Sequence, residues 1–257
     1  MMDSPDPGPH IAPMDSTGKT ALVTGGNKGI GFAVVRQLAA HGYTTWLGSR
    51  DEARGRAAVA ALEEAGAGDV RFIALDVTDE ASGAAAAARI ASLTPSLDVL
   101  INNAGIYVKE GDGAPSTVRL DAMRATYDVN VFGPLRVTAA FLPLLRAARG
   151  AHVVMVGAGL GSLTLQLDPS QGLSRWPAFA YSSSKTALNA LTVGFANELR
   201  EEGIVVTVVN PGFVATDLNG HAGTLTTDEG AERVLRAVQL PLSATGSFVT
   251  DHGTCPW

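Results

Sequence analysis

A glycine-rich turn between a buried strand and a helix constrains this chain more than any other feature. The apolar run Ala21-Leu22-Val23 leads into Thr24-Gly25-Gly26-Asn27-Lys28-Gly29-Ile30-Gly31. Beyond it, Ile30, Phe32, Val34, Val35 and Leu38 recur at the spacing of a helix packed on a sheet. Glycines at 25, 29 and 31 permit a tight turn and a close approach of backbone to a pyrophosphate. The N–H groups at the helix start then face the negative charge. The spacing is Gly-x-x-x-Gly-x-Gly, distinct from the Gly-x-Gly-x-x-Gly of the long-chain dinucleotide fingerprint. Strand, turn and helix in this order predict a nucleotide-binding α/β fold.

The rest of the chain alternates in the same way. Strands are expected at 20–24, 43–48, 70–75, 97–101, 151–156, 204–209 and 247–250, with helical stretches between them. This order predicts a Rossmann-type, doubly wound sheet of about seven parallel strands with helices on both faces. Ala84 to Ala88 read as part of a strong helix, opened by Asp79 and closed before Pro95. At 257 residues and 46% hydrophobic, the chain can bury one large core, so a single domain over 17–257 is expected. Residues 1–16 hold four prolines and no apolar periodicity, which predicts a disordered extension. They lack the order of a signal peptide, and Met14 is a second candidate initiator.

Several function classes lose support on the same reading. Net charge −6 without a basic stripe argues against nucleic acid as a partner. The single Cys255 excludes an internal disulfide and suits a reducing cytoplasm. No apolar run suggests a membrane span. His10, His41, His152, His221 and His252 have no zinc-site spacing, so no metal is expected. No Gly-x-Ser-x-Gly elbow supports hydrolysis.

Tyr181-Ser-Ser-Ser-Lys185 puts a phenol and an ammonium four residues apart, on one helix face. A nearby lysine cation favours the phenolate, so the pair is expected to lower the tyrosine pKa. Together with the glycine loop, these residues resemble the short-chain dehydrogenase/reductase family over nearly the whole chain. The loop at 24–31 matches the family's Thr-Gly-x-x-x-Gly-x-Gly, and Asn102-Asn103-Ala104-Gly105 matches the segment closing its fourth strand. Asp76-Val77 matches the pair that meets the adenine. Asn130, within Asp128-Val129-Asn130-Val131-Phe132-Gly133, takes the place of the helix-bending catalytic asparagine. Pro211-Gly212-Phe213-Val214-Ala215-Thr216 matches the segment flanking the nicotinamide.

The resemblance implies an NADP-dependent oxidoreductase acting on CH–OH or C=O groups. Hydride passes from NADPH to a small-molecule ketone or aldehyde, and Tyr181 gives the proton. Lys185 holds the nicotinamide ribose, Asn130 anchors a water that resupplies protons, and Thr216 meets the nicotinamide amide. The implied cofactor contacts are Gly25, Asn27, Lys28, Gly29, Ile30, Gly31, Ser49, Arg50, Asp76, Val77, Asn103, Ala104, Gly105, Tyr181, Lys185, Pro211, Gly212, Val214 and Thr216.

Charge selects the coenzyme. The second strand ends in Ser49-Arg50, with Ser49 where the family's NAD-binding members carry an aspartate. Arg50 and Lys28 then suit a 2′-phosphate, so NADPH is expected. Asp51 is expected to start the next helix instead.

One position departs from the family. The fifth strand, His152-Val153-Val154-Met155-Val156, is followed by Gly157-Ala158, with Ala158 where the family's carbonyl-polarising serine belongs. A methyl group cannot donate a hydrogen bond, and removing one such donor costs about 10²–10³ in kcat. Ser162 could substitute only if its loop folds back. Three readings stay open: an engineered serine-to-alanine change, an atypical native enzyme, or a protein that binds nucleotide without redox turnover, as cyclase, scaffold or sensor.

The stretch from Ala158 to Tyr181 is longer than in the family's compact members, which is similar to the carbonyl-reductase-like branch. Leu160, Leu163, Leu165, Leu173, Trp176 and Phe179 make it apolar, so a hydrophobic or aromatic substrate is expected over it and over the lid Asp217-Leu218-Asn219-Gly220-His221. Ser162, Trp176, Leu218 and His221 are the candidate substrate contacts. Monomer and homodimer both remain open, ahead of a tetramer.

Overall fold

The computed structural model describes Ser16 and residues 18–257. The expected extension therefore lies outside the described residues, apart from Ser16. Leu22 is wholly buried on one side of the first strand, and Ala21 and Val23 are buried on the other. This period-two split is what a central strand with helices on both faces requires. That strand, β1 (Thr20–Thr24), runs through the Thr24–Lys28 turn into α1 (Gly29–Ala40).

The following elements alternate as the sequence predicts. They are β2 (Thr44–Ser49), α2 (Glu52–Glu64), β3 (Val70–Ala74), α3 (Glu80–Ala91) and β4 (Val99–Asn102). Then come α4 (Leu120–Tyr127), α5 (Gly133–Ala147), β5 (His152–Val156), α6 (Leu163–Leu167) and α7 (Phe179–Leu199). The chain closes with β6 (Val205–Val209), α8 (Thr227–Ala237), β7 (Phe248–Thr250) and β8 (Gly253–Thr254). Strand order is β3-β2-β1-β4-β5-β6-β7-β8, with only the last pair antiparallel. The expected parallel seven-stranded sheet is present, extended by a two-residue edge strand.

Two layers of apolar side chains hold the helices to the sheet. Ile90 of α3, Phe141 and Leu145 of α5, and Leu188, Phe195 and Leu199 of α7 share one face. Val34, Val35 and Leu38 of α1, Leu62 of α2, and Val234 and Leu235 of α8 share the other. Fully burying a side chain of this kind is worth about 1.5–3 kcal/mol. Asp79 caps α3 by accepting the Ala81 N–H at 2.9 Å, and α3 ends before Pro95 as expected. β4 starts two residues later than expected because the Leu97 N–H goes to the Leu144 carbonyl instead of a strand.

The fold positions the site through its crossing point. The chain leaves β1 toward β2 on one side and enters β4 on the other, so the carboxyl ends of β1 and β4 flank a crevice. Between α4 and α5 the helix widens into a π turn, Asp128–Phe132, that holds Asn130. Among the described residues, no helix is long and apolar enough to cross a membrane.

Candidate active site

The glycine loop is built as an anion cradle. Gly25 and Gly29 adopt φ of +63° and +58°, in the left-handed region that side chains resist. A Cβ on Gly25 would meet the Ala104 Cα at 3.1 Å. Lys28 stands at the N-cap of α1 and no side chain caps the helix, so its first N–H groups are free to take a phosphate. Asn27 and Ile30 are half-buried in the same loop. Asn103 ties the cradle to β4: its Nδ2 donates to the Thr24 carbonyl at 2.9 Å and to the Gly25 carbonyl at 3.2 Å. The Ala104 N–H donates to the Thr24 hydroxyl at 3.0 Å.

At the tip of β2, Ser49 is buried and donates to the Asp51 carbonyl at 3.0 Å, while Arg50 is exposed. Asp51 caps α2 by accepting the Arg54 N–H, as the sequence predicts. Asp76 accepts from the amide and hydroxyl of Thr78 at 2.9 and 2.7 Å. Burial opposes its ionisation, yet these bonds and the Arg50 charge hold its carboxyl below the usual range. Val77 lies buried beside Gly133. Lys28 is exposed, and its ammonium pairs at 2.7 Å with Asp217, a surface contact that a phosphate can displace.

On the other side of the crevice, Tyr181 and Lys185 lie on one face of α7, with the ammonium 5.7 Å from the phenol ring centre. Asn130 is nearly wholly buried; its Oδ1 accepts the Ile106 N–H at 2.8 Å, and its Nδ2 donates to the Ile106 carbonyl and the Ser184 hydroxyl, both at 3.0 Å. A Cβ on Gly105 would lie 3.4 Å from the Asn130 Oδ1 and 3.6 Å from the Lys185 Nζ, which places all three together. Lys185 is only 5% exposed and donates to the Val156 carbonyl at 2.9 Å.

The acid–base pair also differs from the expectation. Burial pushes the Tyr181 hydroxyl up to about 12 and the Lys185 ammonium down to about 8. Desolvation disfavours both charged forms, so the tyrosine is a protonated donor at neutral pH. The stability of the nucleotide-free protein follows. Below about pH 8 Lys185 is charged in both states, and the cost of burying that charge is fully present. As pH rises from about 8 toward 10.5, only the unfolded chain keeps that proton, so stability increases. Above pH 10 Tyr181 acts the opposite way, because only the unfolded chain ionises until about 12. Denaturant unfolding at about pH 7.5 and about pH 9.5 should differ by about 2 kcal/mol, and Lys185→Met should erase the difference.

Ala158 lies two residues past β5, whose last carbonyl, Val156, holds Lys185, and it opens a one-turn helix, Gly159–Gly161. Ser162 does not replace the missing donor. It is wholly buried, and its hydroxyl accepts the Leu165 N–H at 3.0 Å to cap α6. The apolar segment 159–178 does not form one substrate wall. Leu165 packs on the core and Leu167 faces solvent, while Leu163 and Phe179 flank a cleft on the outer face of α7. Trp176 instead reaches Phe213, ring centres 5.9 Å apart, and both rings are substantially exposed.

The segment after β6 completes the crevice. The Pro211 carbonyl accepts from Arg233 at 3.3 Å, and the Gly212 N–H donates to the Asn210 Oδ1 at 3.0 Å. Val214 is buried, and Thr216 with Asn219 forms a capping box over Asp217–Asn219. Leu218 is exposed on this lid; His221 holds φ +61° and bonds Asp217 at 2.9 Å.

The family model for short chain dehydrogenases matches residues 19–225. The chain belongs to that family. It is 36% identical over 240 residues to short-chain dehydrogenase anuI of Penicillium roqueforti, covering 91% of this chain and 94% of that protein. The NADPH-bound carbonyl reductase from chicken fatty liver superposes with a TM-score of 0.83 at 29% identity, over 94% of this chain and 100% of the other. Salutaridine reductase of Papaver somniferum gives 0.77 at 29%, over 90% and 99%.

Against this family background, three residues escaped the sequence reading. Phe213 lies inside a recognised segment but was not singled out. Asp112 accepts the N–H groups of Ala180 and Tyr181 at 2.8 and 3.0 Å, fixing the start of α7. Tyr107 packs edge-on against Tyr181, ring centres 5.7 Å apart. An aromatic residue two positions past Gly105 was the available signal for it.

Proposed function

We propose that residues 17–257 form one NADPH-dependent carbonyl reductase domain acting on a ketone or aldehyde of an apolar small molecule. The observation that carries this reading is the convergence of Tyr181, Lys185 and Asn130 beside an uncapped glycine cradle. When bound there, NADPH supplies a hydride to the substrate carbonyl carbon. Gly25, Asn27, Gly29, Ile30 and Gly31 take the pyrophosphate, and Lys28 joins them once released from Asp217. Ser49 and Arg50 take the 2′-phosphate, and Asp76 and Val77 border the adenine. Asn103, Ala104, Gly105, Pro211, Gly212, Val214 and Thr216 border the ribose and nicotinamide.

Tyr181 gives its hydroxyl proton to the substrate oxygen as negative charge develops there. Lys185 fixes the ribose and, through Asn130 and a water, restores the proton. Trp176, Phe213 and Leu218 offer an apolar surface at the mouth, which favours aromatic or terpenoid-like substrates of secondary metabolism. The names carbonyl reductase and salutaridine reductase among the similar structures support this reading.

Loss of NADPH absorbance with a panel of aromatic ketones and quinones tests the proposal. Ala158 favours one other reading, nucleotide binding without redox turnover. Tight NADPH binding with no consumption across the panel would select it. Arg50 tests the coenzyme: Arg50→Ala should weaken NADPH by about 10- to 100-fold, the worth of a charge-assisted hydrogen bond, and leave NADH unchanged. Titration with both coenzymes measures this, and equal losses would exclude a 2′-phosphate role.

A further inference from the structure

We propose that the Tyr107 hydroxyl gives the substrate carbonyl the hydrogen bond that the Ala158 methyl cannot. The proposal rests on the carbonyl-reductase reading. In it, Tyr107 polarises the oxygen without giving up its own proton; the transferred proton still comes from Tyr181.

The placement of Tyr107 is fixed from both sides. Its chain neighbour Ile106 is held at N–H and carbonyl by the Asn130 side chain. Its ring meets the Tyr181 ring at 5.7 Å and 66°, an edge-to-face contact. Asp112, which anchors the backbone of Tyr181, also acts electrostatically on Tyr107. The two phenols thus share one set of supports, one on the β4–α4 connection and one on α7.

The Tyr107 hydroxyl is also available. The side chain is half-buried, and among the described residues its hydroxyl has no hydrogen-bond partner. With none of those residues holding it, the hydroxyl can turn to a substrate oxygen beside the proton donor. Burial, then the Asp112 charge, push its pKa upward, which keeps it protonated.

Nearby alternatives are already engaged. Ser162 is wholly buried under α6, Ser184 donates to the Tyr181 carbonyl at 2.7 Å, and Ser183 donates to the Ala180 carbonyl at 3.3 Å. Asn210 is the remaining rival, since its Nδ2 lies 3.3 Å from where a Gly159 Cβ would stand.

Tyr107→Phe keeps the ring contact and removes only the hydroxyl. With saturating NADPH and the best ketone of the panel, kcat should fall by about 10²-fold with KM and NADPH affinity nearly unchanged, the pattern of a donor acting in the transition state. Adding Ala158→Ser to Tyr107→Phe should restore most of that loss. Full activity in Tyr107→Phe would overturn the proposal. So would a loss that Ala158→Ser does not relieve, a loss confined to KM, or a kcat loss seen only in Asn210→Ala. A wild-type protein that oxidises no NADPH overturns the reductase reading and this proposal with it. An active wild type with an equally active Tyr107→Phe overturns this proposal alone.

Discussion

Tyr181→Phe should lower kcat by about 10³-fold, within the 10²–10⁴ range of a positioned general acid, while NADPH binds as tightly as before. The substitution removes one oxygen and leaves the rest of the site intact. The ring keeps its edge contact with Tyr107 and its place under the Lys185 ammonium. The start of α7 is undisturbed, because Asp112 takes the backbone N–H groups of Ala180 and Tyr181, not the hydroxyl. Nor does Lys185 depend on the phenol, since it donates to the Val156 carbonyl. Loss of turnover without loss of coenzyme affinity or melting temperature therefore isolates proton donation. Fluorescence titration and steady-state rates on the same preparation make the comparison. An unimpaired variant would sink the mechanism.

The parts of this site legible in the sequence are those made by neighbours in the chain. Ala21 to Gly31 announce strand, turn and helix because the period changes across a few residues. Asp51 and Asp79 declare themselves as helix starts for the same local reason. Tyr181 and Lys185 are legible as a pair because four residues is one helical turn. Their acidities were not, because these depend on how much water the folded chain excludes, and desolvation reverses the expected direction for the phenol.

Contacts between distant segments were equally hidden. Lys28 meets Asp217 across 189 residues, and Asp112 meets Ala180 across 68. No local pattern encodes either pairing; each exists only once the parallel crossovers bring loops to the same end of the sheet. Ser162 fails for the converse reason. It is close to Ala158 in sequence, yet the short helix α6 begins there and claims its hydroxyl. Tyr107 and Phe213 matter through ring contacts with residues far along the chain or in another loop, so their types alone gave little warning.

Gly31→Ala sets two such levels of reasoning against each other. Gly31 lies inside α1, where alanine is intrinsically favoured by about 1 kcal/mol. Its added Cβ, however, would meet the Gly25 carbonyl oxygen at 2.5 Å and press on the Asn103 Nδ2. Both are fixed, because that amide bonds the Thr24 and Gly25 carbonyls. Overpacking of this kind costs about 1–3 kcal/mol, which outweighs the propensity gain. The strain falls on the loop that cradles the pyrophosphate, so NADPH affinity should drop by about 100-fold if some 3 kcal/mol is diverted from binding. Gly194→Ala supplies the contrast. It also lies in a helix, α7, but a Cβ there meets nothing within 4 Å, so that variant should be more stable by about 1 kcal/mol with NADPH binding unchanged. Denaturant unfolding and NADPH titration of both variants read out the two signs. Gly31→Ala binding NADPH like the wild type would mean that the loop yields where the bonds of Asn103 say it cannot.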